Sequence, residues 1–94
     1  MMTIKYKIER TSKFKKDYKL VLKRKYDIKL LDEVIKILVS GEKLPPKYKD
    51  HPLFGNYSGL RECHLTPDWL LVYEIDNDTL ILYLTRTGTH SDIF

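Results

Sequence analysis

The chain has little of several things that would define a specialised class of protein. Its 94 residues include one cysteine, Cys63, which excludes a disulfide framework and a cysteine-rich zinc module. No apolar run approaches the roughly 18 residues of a membrane helix. The first ten residues, MMTIKYKIER, lack the apolar core of a secretory signal peptide. We therefore expect a cytoplasmic protein without membrane contact, folded as a single domain over residues 1–94.

Acidic residues are scarce in the first half of the chain. Residues 1–50 hold 15 Lys and Arg against 7 Asp and Glu, a balance of +8, whereas residues 51–94 hold 2 against 6, a balance of −4. A basic half suits a polyanionic partner, and nucleic acid is the leading candidate. A solvated, lysine-rich helix face explains the same charge about equally well.

Hydrophobic periodicity predicts a strand and two helices in the first half. Residues 3–9 alternate between apolar and charged side chains, which is typical of a half-buried strand. Residues 12–25 repeat apolar side chains at helical spacing after a capping residue, Thr11. A second helix is predicted from a cap at Asp27 to a stop at Gly41. Three prolines and a glycine then indicate a loop.

The second half predicts three strands, at residues 57–65, 69–75 and 79–86. The second of these is mostly apolar and suits a central position in a sheet. Together the elements follow the order β-α-α-β-β-β. This order predicts an α+β domain in which two helices from the N-terminal half pack on a twisted antiparallel sheet.

All three histidines lie in the second half, and the predicted strand order lets His51, His64 and His90 converge. Each histidine alone is more often a surface residue than a catalyst. Cleavage of an RNA phosphodiester needs a general base, a general acid and a cation for the charge that develops on the phosphate. Histidine can act as acid or base near neutral pH, and the fork of an arginine such as Arg86 suits a phosphate.

Carboxylates and aromatic rings complete this hypothesis. Glu62 and Asp68 can orient imidazoles through hydrogen bonds. Phe94, Tyr57 and Trp69 offer ring faces on which an unpaired base can stack.

Two other chemistries compete with acid–base cleavage. Three histidines and Asp68 could bind zinc, although their spacing matches no compact zinc motif. A nucleophilic thiol is disfavoured, because Cys63 lies between Glu62 and His64 on a strand and its side chain points to the opposite face. We expect Cys63 to be a core residue.

Three segments in order, YKDHPLFGNYSGLRECH, PDWLLVYEI and RTGTHSDIF, resemble the RelE superfamily of bacterial type II toxins, and within it the YafQ branch. The resemblance covers nearly the whole chain. It implies helices on a twisted antiparallel sheet and a ribosome-dependent endoribonuclease that cuts mRNA in the A site without a metal or other cofactor. It also implies a cognate antitoxin that inhibits by direct binding, with operator DNA contacted only through the antitoxin complex.

The residues that we expect to act fall into three groups. The catalytic group, with His90 as the leading acid–base residue, is His51, His64, His90, Arg86, Asp68 and Glu62. The substrate contacts are Phe94, which stacks on a base, with Arg61 and Lys49. The ribosome contacts lie on the first helix and are Lys13, Lys15, Lys16, Lys19, Lys23 and Arg24. A glycine, Gly88, permits the turn that brings the tail back to this site.

Two alternatives stay open. The domain could be a noncatalytic toxin-like module that acts only in an antitoxin–DNA repressor complex. It could also be a ribonuclease that cuts free RNA, because the same side chains would serve that reaction.

Overall fold

A computed structural model describes residues 4–94 of the chain. Its elements, in chain order, are β1 (Lys7–Arg10), α1 (Ser12–Lys23), α2 (Ile28–Val39), β2 (His51–Pro52), β3 (Arg61–Thr66), β4 (Trp69–Asp76), β5 (Ile81–Gly88) and α3 (His90–Ile93). Short turns of 3-10 helix occupy Pro46–Tyr48 and Gly55–Tyr57. No helix of the described residues has the length and apolar character needed to cross a membrane.

The two long helices begin at the predicted caps. The Thr11 hydroxyl accepts the Phe14 N–H at the start of α1, with a distance of 3.0 Å. The Asp27 carboxylate accepts the Lys29 N–H at the start of α2, with a distance of 3.1 Å. Side-chain acceptors of this kind satisfy N–H groups that the first helical turn leaves unpaired. Helix α2 ends before Gly41, as predicted, whereas α1 ends two residues before its predicted end.

The five strands form one sheet in the order β1-β5-β4-β3-β2. Pairing is antiparallel from β5 to β2, but β1 runs parallel to β5, with Lys7 opposite Ile81 and Arg10 opposite Leu84. The predicted α+β fold of two helices on a twisted sheet is confirmed, but the sheet is mixed and not antiparallel throughout, because β1 pairs with β5 in parallel. Hairpins impose antiparallel pairing, but β1 has no hairpin to β5, so its direction depends on where the helices return the chain.

Strand bounds differ from the predictions at both ends of the chain. The predicted strand 3–9 begins only at Lys7, because the N–H groups of Lys5 and Tyr6 donate to the Val39 carbonyl instead of to a strand. Ile4, expected on the buried side, is exposed, and residue 3 lies outside the described residues.

The strand predicted at 57–65 begins at Arg61. The preceding residues are turned, with the Leu60 N–H donating to the Tyr57 carbonyl at 3.1 Å. The strand β2, within the predicted loop, pairs its two residues with Glu62 and Arg61 of β3. Two residues are too few for a periodic pattern, and this strand was therefore not predicted.

The core lies between one face of the sheet and helices α1 and α2. Cys63 is fully buried there, as expected, between apolar residues of the helices and the central strands. Trp69 is also in this core, with 2% of its surface exposed. Its indole N–H donates to the Thr87 hydroxyl at 2.9 Å, and that hydroxyl donates to the Leu70 carbonyl at 2.8 Å. The prediction that Trp69 offers a ring face to a base is therefore wrong.

Replacing Thr87 with valine tests this buried contact. Thr87→Val leaves the Trp69 N–H without its acceptor, and we expect a loss of about 1–3 kcal/mol in the free energy of unfolding, measured by urea titration with tryptophan fluorescence. Thr66→Val is the matched control, because the Thr66 hydroxyl has no hydrogen bond within residues 4–94. It should change stability by less than about 0.5 kcal/mol. Equal effects in the two variants would contradict the assignment.

Candidate active site

Three polar residues and one valine form a row across the sheet. Val72 of β4 lies opposite Glu62 of β3 on one side and opposite Arg86 of β5 on the other, and His51 of β2 lies opposite Glu62. Residues directly opposite one another in antiparallel strands point to the same face. His51, Glu62 and Arg86 therefore share one face of the sheet, which we call the polar face.

A β-bulge decides that Arg86 belongs to the polar face. Val72 pairs with Arg86, but the next residue of β4, Tyr73, pairs with Leu84, so Thr85 is an extra residue in β5. Leu84 is fully buried in the core. Simple alternation from Leu84 would direct Arg86 into the core as well, whereas the extra residue turns it to the opposite face.

His64 joins the same face one row further along. It lies opposite Leu70, which lies opposite Gly88, and these positions are two residues from the row of Glu62. Leu70 and Val72 are buried but do not belong to the main core, so they form an apolar floor beneath the polar face. The chain leaves β5 at Gly88 and enters α3, whose first residue is His90.

Glu62 lies between two of the histidines. Its Oε2 is 3.6 Å from His51 Nε2 and its Oε1 is 3.9 Å from His64 Nε2, and its side chain is only 7% exposed. The two imidazole rings are 6.1 Å apart. The Lys49 carbonyl accepts a hydrogen bond from His51 Nδ1 at 2.7 Å. Since a carbonyl can only accept, Nδ1 carries a proton and Nε2 is the nitrogen that faces the carboxylate.

His64, Asp68 and His90 line one cleft of about 520 Å³. Asp68 was predicted to orient an imidazole, but among the described residues its carboxylate forms no ion pair with a histidine. Glu62, in contrast, lies within 4 Å of both His51 and His64. Within residues 4–94, no three His, Cys, Asp or Glu side chains are grouped so that they could hold a metal ion.

Two aromatic rings lie together at the tail of the chain, and one of them packs beside His90. The Phe94 ring lies 5.0 Å from the His90 ring and 4.9 Å from the Tyr57 ring, which it meets edge to face. Phe94 is 40% exposed and Tyr57 is 43% exposed. These two residues, rather than the buried Trp69, can offer ring surface to an unpaired base.

Helix α1 holds both the bulge and Arg86. The Thr85 carbonyl accepts the Thr11 hydroxyl at 2.7 Å. Asp17 accepts two hydrogen bonds from the Arg86 guanidinium, at 2.7 and 3.1 Å, and a third from the Thr87 N–H at 3.1 Å. The hydrogen bond to Asp17 raises the pKa of Arg86 above its ordinary value. Asp17 was not predicted, although it is the only acidic residue in α1.

A family comparison shows which class of protein carries this fold. The sequence model described as "Bacterial toxin of type II toxin-antitoxin system, YafQ" matches residues 6–94. The chain belongs to the YafQ family of bacterial toxins. The resemblance noted in the three sequence segments is thereby confirmed.

Three relatives show how closely this YafQ-family toxin follows known proteins. It is 40% identical to the mRNA interferase toxin YafQ of Escherichia coli K12 over 88 residues, which are 93% of this chain and 94% of the relative. The crystal structure of the E. coli DinJ–YafQ toxin–antitoxin complex matches with a TM-score of 0.88 and 39% identity, over 97% of this chain and 99% of that one. A metal-bound toxin from Helicobacter pylori matches with a TM-score of 0.89 and 48% identity, over 95% and 99%.

Two predicted substrate contacts of the toxin do not join the histidines. Arg61 lies opposite the buried Tyr73, on the face away from Glu62. Its guanidinium donates two hydrogen bonds to Asp50, at 3.0 and 3.3 Å, and the Tyr73 hydroxyl donates to the same carboxylate at 2.5 Å. Burial, followed by Asp50, raises the pKa of Tyr73. Lys49 is exposed and reaches the site through its carbonyl only.

The predicted ribosome contacts divide into two kinds. All six lie at exposed positions, and five of them form no ion pair within residues 4–94, namely Lys13, Lys15, Lys16, Lys19 and Lys23. Arg24 differs, because Asp92 of α3 accepts hydrogen bonds from both of its terminal nitrogens, at 2.6 and 3.2 Å. The hydrogen bond from Arg24 holds the pKa of Asp92 well below its usual range.

Alkylation of Cys63 gives a chemical test of its burial in the core. Burial raises the pKa of the thiol to about 12, so the reactive thiolate is scarce in the folded toxin. We expect iodoacetamide at about pH 8, near the ordinary thiol pKa, to alkylate the folded protein on the order of 100-fold more slowly than the urea-unfolded protein. Mass spectrometry measures the two rates. Fast labelling of the folded toxin would show that Cys63 is accessible.

Proposed function

We propose that this toxin is an mRNA interferase, an endoribonuclease that cuts mRNA in the ribosomal A site by acid–base catalysis without a metal ion. One observation carries the proposal: Glu62 is buried between His51 and His64 on the face of the sheet that also holds Arg86. Membership of the YafQ family supports the reaction class, since the E. coli relative is named an mRNA interferase toxin.

The chemistry requires two proton transfers on opposite sides of the phosphate. A base takes the proton of the ribose 2′-OH as its oxygen attacks phosphorus, and an acid protonates the departing 5′-oxygen. We assign the leading acid–base role to His90. His64 faces the same cleft and His51 lies beyond Glu62, so these two histidines share proton transfer and phosphate contact.

Arg86 and Glu62 support this reaction from the sheet. Asp17 holds the Arg86 guanidinium through Nε and Nη2, and Nη1 has no acceptor among residues 4–94. That nitrogen can donate to a phosphate oxygen as negative charge develops. The buried Glu62 carboxylate orients the imidazoles of His51 and His64. Asp68 acts in the cleft that His64 and His90 also line.

A stacked base completes the substrate contacts. Phe94 presents a partly exposed ring beside His90, and the partly exposed ring of Tyr57 packs against Phe94. A base–aromatic stack contributes about 1–3 kcal/mol and tolerates any base. The stack therefore holds the nucleotide while the phosphate lies near the histidines.

The partners follow from the same proposal. A YafQ relative has been solved in complex with the antitoxin DinJ, and we infer that a cognate antitoxin neutralises this toxin. Contact with operator DNA occurs only through that complex. The ribosome and mRNA are the catalytic partners, so the toxin acts in the cytoplasm.

A cleavage map tests the function. Purified toxin is added to ribosomes programmed with a defined mRNA, with chelator present, and to the same RNA without ribosomes. We expect cuts only on the ribosome, with the chelator having no effect. His90→Ala should lower the cleavage rate by about 10²-fold or more, because it removes the main proton-transfer group. Circular dichroism confirms that the variant is folded.

Other outcomes select the alternatives. Cuts in free RNA would indicate a ribosome-independent nuclease. Cuts that the chelator abolishes would indicate metal-dependent catalysis, a relevant outcome because the H. pylori relative was solved with a metal bound. No cuts, together with intact repression by the antitoxin complex, would indicate a noncatalytic binding module.

The exposed lysines of α1 give a separate prediction for ribosome binding. Binding of a cation to RNA releases counterions, so each lost phosphate contact lowers the slope of log affinity against log salt by about 0.7–0.9. We expect the triple variant Lys15→Gln, Lys16→Gln, Lys19→Gln to bind ribosomes more weakly and with a smaller slope. The triple variant Lys29→Gln, Lys36→Gln, Lys43→Gln, outside α1, is the control. An affinity that is independent of salt would contradict an electrostatic interface.

A further inference from the structure

Helix α3 is too short to be stable alone. It has four residues, His90–Ile93, whereas isolated helices shorter than about 12 residues are marginal in water. The proposed acid–base residue His90 and the stacking residue Phe94 nevertheless depend on its position. Contacts with the rest of the toxin must therefore hold it in place.

Within residues 4–94, every side-chain hydrogen bond of α3 involves Asp92. Its carboxylate accepts the Thr89 N–H at 2.8 Å, and its own N–H donates to the Thr89 hydroxyl at 3.2 Å. This reciprocal pair is a capping box. The same carboxylate accepts two hydrogen bonds from Arg24, and the Asp92 carbonyl accepts one from Arg86 Nη2 at 3.2 Å.

Gly88 gives the carboxylate room to approach. Its φ angle is +151°, a conformation that favours glycine, and a Cβ atom at this position would lie 2.9 Å from Asp92 Oδ2. The turn out of β5 and the position of the Asp92 side chain therefore depend on one another.

Among the described residues, Arg24 is the only side chain outside the tail that binds the Asp92 carboxylate. Only 34% of the Arg24 side chain and 22% of the Asp92 side chain are exposed. Two parallel hydrogen bonds between a guanidinium and a carboxylate also fix orientation as well as distance. This bidentate geometry differs from that of a single-contact ion pair on a helix surface.

We propose that Arg24 and Asp92 are positioning residues that together form a latch, which holds α3 so that His90 lines the cleft and Phe94 packs beside it. The expected loss of kcat rests on the proposed function, whereas the expected effect on the position of α3 does not. Arg24 was predicted as a ribosome contact. The latch gives it a different role, because its guanidinium binds Asp92 in the tail. Catalytic groups lose rate steeply when they move, and a displacement of about 1 Å can cost about 10²-fold.

The test compares Arg24→Gln, Asp92→Asn and the double variant of the full chain. We expect each single variant to lower kcat about 10-fold or more, with a much smaller change in KM, since ribosome binding depends on the lysines. The double variant should lose no more than either single variant, because the two residues act through one contact. Lys29→Gln and Glu33→Gln remove one cation and one anion from α2 and are the matched controls.

NMR supplies a readout that does not depend on cleavage. In the wild type, nuclear Overhauser effects should connect the Phe94 ring with the Tyr57 and His90 rings, which lie about 5 Å away. We expect both single variants to lose these effects while those between Trp69 and Thr87 in the core remain. Loss in both places would mean global unfolding and would overturn a local latch.

The outcomes separate the latch from the proposed function. If Asp92→Asn retains full kcat and the tail contacts, the latch is wrong. If Asp92→Asn has an effect and Arg24→Gln has none, the capping box alone holds the tail and the pair is wrong. If the wild type cuts no RNA but both variants lose the tail contacts, the latch stands and the proposed function fails.

Discussion

The extra residue in β5 is the constraint on which the polar face depends. Because Thr85 has no partner in β4, the alternation of side chains reverses between Leu84 and Arg86. Leu84 therefore lies in the core, and Arg86 lies on the polar face in the same row as Glu62. A bulge leaves backbone groups of the strand without partners in the neighbouring strand. Here the Thr11 hydroxyl donates a hydrogen bond to the carbonyl of the bulged residue, Thr85. The same hydroxyl caps α1, so the start of the helix and the bulge in the strand are joined.

Helix α1 then serves the core and the site with neighbouring positions on one face. Its apolar side places Phe14 and Val21 in the core. Asp17 and Arg24 are seven residues apart, about two helical turns, so they lie on one side of the helix. Asp17 binds Arg86 and Arg24 binds Asp92. Helix α1 therefore holds in place both Arg86, near the end of β5, and the tail that follows this strand.

The uneven distribution of charge along the chain has a structural reason. The second half carries the excess of acidic residues, and two of its carboxylates near the site have cationic or imidazole neighbours. Asp92 is paired with Arg24 from the basic half, and Glu62 lies between two histidines, while Asp50, at the end of the basic half, binds Arg61 on the other face. The exposed lysines of α1 remain available for a polyanion.

Sequence by itself determined the helices, their caps, the central strands and the set of histidines. These features follow from local rules: side-chain periodicity, capping oxygens and residue chemistry act within a few positions of the chain. Tertiary structure alone decided the parallel pairing of β1, the bulge at Thr85 and the partners of Arg86, Arg61 and Arg24. Each of these depends on residues far apart in the chain, such as Asp17 with Arg86. No local pattern specifies which carboxylate an arginine will reach, because that distance exists only once the helix has packed against the sheet.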